Sequence, residues 1–139
     1  MILTKLLAMG QDRRVLLSIT WVFVLMNMIY ADILNTLKPS YLAELEYVST
    51  NLSGGVVLLF AVLMEVPIIM IPLSRFAERK TNRILHLVAV PLSILWVIVP
   101  SMVSSGTPLS YIFFATVEVL AMLFALYVAL KWPAEEPLS

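Results

Sequence analysis

Four ionisable side chains, Asp32, Glu65, His86 and Glu118, sit inside long apolar runs. A charged group near the middle of a hydrocarbon layer costs roughly 2.5–3.5 kcal/mol by insertion scales, so each must be explained by structure or by function. Counted from the middle of each run at about 1.5 Å per residue, Glu65 and Glu118 both fall within about 3 Å of the midplane. Asn27 falls at nearly the same level, and Asp32 lies roughly 9 Å nearer one surface by the same count. His86 falls near the opposite surface and reads as an interfacial side chain. No lysine or arginine lies at the depth of the two glutamates. Two carboxyl groups without a cation cannot both stay ionised in a low-dielectric bundle, so at least one is expected to keep its proton at neutral pH. Such an acid can donate a hydrogen bond or exchange its proton for a cation.

Glu65, Glu118, Asn27, Asp32 and Tyr30 are therefore the candidate ligand- or proton-binding residues. The competing reading is structural: Glu118 bonds Asn27, Tyr30 or Glu65 and only locks the helix packing. Catalytic candidates are lacking. There is no cysteine, which excludes disulfides, thiolate metal sites and cysteine nucleophiles. One histidine cannot build a histidine metal cage within one chain. No metal and no cofactor is expected. Nine basic residues against nine acidic ones leave zero net charge and no footprint for nucleic acid.

The elements that must position these residues follow from composition. Of 139 residues, 61% are hydrophobic and 13% charged; soluble chains average about 45–50% and about 25%. The surplus needs an apolar solvent, which the bilayer supplies. Four apolar runs, Val15 to Leu37, Val56 to Leu73, Ile84 to Val103 and Leu109 to Leu130, approach or exceed the roughly 18–20 residues that cross a membrane. None alternates with period two, and backbone groups in lipid must be satisfied internally, so the runs are helices. The expected fold is all-α: a four-helix transmembrane bundle forming a single domain over residues 1–139. On the last helix Tyr111, Ala115, Glu118, Met122, Ala125 and Ala129 share one stripe, which turns Glu118 into the bundle. On the first, Thr20, Asn27, Ala31 and Asn35 form a broader polar stripe flanked by Tyr30 and Asp32. Pro67 frees the carbonyl of Leu63 beside Glu65, a place for water or a ligand.

Pro39 opens a short helix in the first connection, with Tyr41, Leu42, Leu45 and Val48 on one face, as expected of a helix lying at the membrane interface. The pair Gly54-Gly55 is expected to end it. Eight basic residues, Lys5, Arg13, Arg14, Arg75, Arg79, Lys80, Arg83 and Lys131, fall on one side, and only Lys38 on the other. The positive-inside rule then puts both termini and the middle loop in the cytoplasm of a multi-pass cell-membrane protein.

Three stretches carry a resemblance. They are Asn27-Met28-Ile29-Tyr30-Ala31-Asp32-Ile33-Leu34; Met64-Glu65-Val66-Pro67-Ile68-Ile69-Met70 continuing through Leu73-Ser74-Arg75 to Thr81-Asn82-Arg83; and Tyr111 to Val119, ending in Ala129-Leu130-Lys131-Trp132-Pro133. Together they resemble an uncharacterised family of small prokaryotic four-helix integral membrane proteins, domain of unknown function six-three-two-six. The resemblance implies the four-helix topology and a bacterial or archaeal source, and brings no activity. The family pattern has an asparagine where this chain has His86. A looser, architectural similarity is to DoxX-like proteins.

The leading expectation is a membrane protein that binds or transports a small lipophilic or cationic ligand, or protons, at the midplane carboxyl groups. The alternatives are a structural or assembly subunit of a membrane complex, and a membrane enzyme acting on a lipophilic substrate. The chain carries no nucleophile–base pair or metal set for the last. The expected partners are membrane lipids and a second copy or a larger membrane complex.

Overall fold

The computed structural model describes residues 13–103 and 107–134, the side chains of residues 100, 101 and 103 excepted. Five helices account for almost all of it: α1 (Arg13–Thr36), α2 (Pro39–Asn51), α3 (Gly54–Phe76), α4 (Arg79–Val103) and α5 (Leu109–Leu130). All but α2 are long and apolar enough to cross a membrane; 22 residues, the shortest of the four, already span about 33 Å. α1 packs against α3 and α5, and α4 closes the ring against the same two helices. The fold is a four-helix transmembrane bundle with a short helix in its first connection.

The helices overrun the apolar runs where polar residues still favour helix. α4 begins at Arg79 rather than Ile84, and α3 runs on to Phe76. Asn82 explains the tight turn between them. Its side-chain amide donates to the carbonyls of Ser74 (3.2 Å) and Ala77 (2.9 Å), satisfying groups that the end of α3 leaves open. Pro39 stands at the start of α2, where its missing N–H costs nothing. The glycine pair does not end α2. Leu52 closes that helix and Ser53 caps α3, both in extended backbone, and Gly54-Gly55 form the first turn of α3.

Packing differs sharply between the two ends. At the end bearing Arg79 and Lys131 the core is full: Leu17, Trp21, Val24, Met70, Val90, Met122, Ala125 and Val128 are all buried. Towards α2 it thins. Pro67, Met70 and Ser74 are the buried residues of α3, and none lies in the half from Gly54 to Val66. Only 11% of that span is buried within the bundle, against 28–33% for the other three. α3 is therefore the least covered helix towards α2, although Met28, Ala31 and Asn35 of α1 stay buried there, and Glu118 is the first buried residue of α5 met from that side.

Candidate functional site

Glu118 belongs to the inner stripe of α5, with Met122, Ala125 and Ala129 buried below it and Tyr111 and Ala115 half-buried above. By the rise of an α-helix it lies about 2 Å from the middle of its span. It is 4% exposed and makes no hydrogen bond to another described residue. Its acidic neighbour is Asp32, exposed near the α2 end of α1, whose charge acts on it. Tyr111 stands within electrostatic reach of Glu118, Asp32 and Tyr41, and its hydroxyl donates to the carbonyl of Val97 at 2.6 Å. That bond fixes the phenol ring between α5 and α4. Tyr41, on α2, has its phenol held above the ordinary value of 10 by burial first, then by the charges of Asp32 and Glu44. Two carboxyl groups and two phenols from α1, α2 and α5 thus lie towards the thinly packed α2 end, Glu118 buried, Tyr41 and Tyr111 half-buried and Asp32 exposed. Among the described residues no cation is paired with either acid.

The fold does not bring the other expected residues there. Glu65 is exposed and does not share a site with Glu118. The reason is helical geometry: residues two apart point about 200° from each other, and Pro67, two residues on, is fully buried. The stripe Pro67, Met70 and Ser74 faces the core, so Glu65 faces away from it. Tyr30 is also exposed. Asn27 is half-buried and its amide folds back onto the carbonyl of Phe23 on its own helix at 2.9 Å. Of the expected polar stripe on α1, Thr20, Ala31 and Asn35 are buried.

His86 is not interfacial. It is fully buried in the filled half of the core, where its Nε2 receives the indole N–H of Trp21 at 3.0 Å. Its Nδ1 lies 2.7 Å from the carbonyl oxygen of Asn82. Tryptophan can only donate, so the ring is the neutral tautomer with its proton on Nδ1. This chain of bonds ties α1 to α4 across the bundle, through a pair on no common periodic stripe. Sequence reasoning placed His86 by depth, which misses it; the buried stripe Leu17, Trp21, Val24, Met28 is the signal that points an aromatic donor inward. Ser74 Oγ, Asn82 Oδ1 and Ser93 Oγ are buried without a hydrogen-bond partner. No group of three histidine, cysteine or acidic side chains poised for a metal occurs among the described residues.

No curated protein and no solved structure matches the chain, and no comparison ties it to DoxX-like proteins. The four-helix bundle, with its motifs spread from α1 to the end of α5, agrees with a family assignment that covers nearly the whole sequence. The model of a family of unknown function, DUF6326, matches residues 4–139, and the chain belongs to that family.

Proposed function

We propose that this multi-pass membrane protein binds a small lipophilic cation, or carries a proton in its place, at Glu118, in a vestibule that opens between it and Asp32 at the α2 end. The observation that carries the reading is a carboxyl group at 4% exposure with no hydrogen-bond donor among the described residues and Asp32 as its charged neighbour. A buried acid left without a donor is costly. A positive charge between the two carboxyl groups removes that cost and also the repulsion between them. The apolar walls of the span suit a hydrophobic body around the charge, and the Tyr41 and Tyr111 rings offer faces for a cation at the mouth.

Binding of tetraphenylphosphonium to the detergent-solubilised protein, followed by equilibrium dialysis, tests this. Glu118→Gln keeps the size and removes the charge. It is expected to weaken binding about tenfold or more, the scale of losing one charge-assisted contact. Glu65→Gln, on the opposite face of α3, should leave it unchanged. Equal affinity for wild type and Glu118→Gln would rule the site out.

The positive-inside pattern supports an orientation in which the arginine-bearing end and both termini face the cytoplasm, so that the vestibule opens outward.

A further inference from the structure

A second site lies at the opposite end of the bundle. Three arginines from two helices gather around the end of α5. Arg13 donates from Nη1 to the carbonyls of Val128 (3.5 Å) and Lys131 (3.1 Å). Arg83 donates from Nη2 to Leu130 O at 2.8 Å, and Arg79 from Nε to Trp132 O at 2.9 Å. These contacts satisfy the open carbonyls of a helix C-terminus and place positive charge at the negative end of its dipole. They use only part of the guanidinium donor capacity, five N–H per residue. No carboxylate among the described residues pairs with any of the three. All three arginines are half-buried, so the cluster is held in place before any ligand arrives.

Beside it runs an apolar groove of about 520 Å³ between α1 and α5, lined by Ile19, Thr20 and Phe23 on one side and Leu120, Ala121 and Phe124 on the other. Its walls are almost wholly hydrocarbon, because the one polar side chain among these, Thr20, turns its hydroxyl back to Leu16 O at 2.8 Å. Arg13 stands on the same helix about 9 Å from Ile19, and Lys131 about 10 Å from Phe124, by helical rise. A cationic head and an apolar furrow therefore lie on one seam, spaced like the phosphate and acyl chain of a phospholipid.

We infer that the α1–α5 seam is a binding site for an anionic phospholipid, with its phosphate on the arginine cluster led by Arg13 and one acyl chain in the groove. The two parts recognise different features of the ligand. The arginines select negative charge, and the groove requires a chain. Occupancy clamps α1 to α5 at their ends, the same two helices that carry Asp32 and Glu118.

Native mass spectrometry of the full chain in mild detergent, titrated with dioleoyl phosphatidylglycerol, dioleoyl phosphatidylcholine or glycerol phosphate, separates these contributions. Wild type should retain one phosphatidylglycerol about fivefold or more in preference to phosphatidylcholine, the scale of one arginine at a membrane surface. Arg13→Gln should abolish the preference. Val117 of α5 also lines the groove, and Val117→Trp, which fills it without touching the arginines, should weaken both lipids. Glycerol phosphate should not displace the lipid. Equal retention of the two lipids by wild type, unaltered retention in Val117→Trp, or full displacement by glycerol phosphate would each overturn the assignment. If Arg13→Gln fails to fold, the Val117→Trp and phosphatidylcholine measurements decide the matter alone.

Discussion

Trp21 and His86 share a hydrogen bond with both side chains fully buried, so neither partner can be removed alone without loss. Trp21→Phe strands the His86 Nε2 acceptor, and the cost should be about 1–3 kcal/mol. Pairing it with His86→Leu should recover part of that cost, because the stranded acceptor is then gone. Unfolding in graded sodium dodecyl sulfate measures both, and strict additivity would show that the bond contributes nothing. Glu118 should behave in the opposite sense. With no donor among the described residues, Glu118→Leu is expected to unfold later than wild type while losing tetraphenylphosphonium binding, the mark of a polar group kept at the expense of stability. Earlier unfolding of Glu118→Leu would assign the residue to packing. The inward direction of Glu118 was legible in the sequence, because Met122, Ala125 and Ala129 repeat on its stripe. Its separation from Glu65 was not: equal depth says nothing about azimuth, and the azimuth of α3 is set by Pro67, a residue more readily taken for a kink than for a core contact.

α3 is the element that most departs from expectation. Its apolar residues go all round, so hydropathy alone marks no inner face; Pro67, Met70 and Ser74 do, once the contacts are known. On the outer face Leu58, Val62, Glu65 and Ile69 follow one another at helical spacing, all exposed, leaving Glu65 amid hydrocarbon. Glu65→Leu should therefore stabilise the inserted protein by up to about 3 kcal/mol, the scale of a charge at mid-depth. Resistance to sodium dodecyl sulfate is the measurement, and a loss of stability would show that this face is covered by a partner through Glu65. Pro67→Ala restores one helical N–H to Leu63 but removes a fully buried ring; the loss of packing should dominate and lower stability. The helix count, the start of α2 at Pro39 and the extent of α5 were all legible, because length, hydropathy and proline act locally. The turn between α3 and α4 was not, since it depends on Asn82 reaching back eight residues to Ser74.

Across the described residues, one end is closed by packing and arginines and the other is more thinly packed around two acids. That polarity fits the asymmetry of basic residues. In sealed cells, cysteine introduced at Ser49 should react with an impermeant maleimide and cysteine at Lys80 should not; labelling at Lys80 would reverse the orientation. The absence of any native cysteine makes the same chemistry the most direct probe of the vestibule. Single cysteines are placed at half-buried Ala115, one turn from Glu118, and at Val24 and Ala125 in the filled half. Each is exposed to a positively charged thiosulfonate reagent, with and without tetraphenylphosphonium. The proposed site predicts rapid modification at Ala115, its suppression by the cation, and no reaction at Val24 or Ala125. An inert cysteine at Ala115, or modification there that the cation leaves untouched, would contradict a ligand site at Glu118.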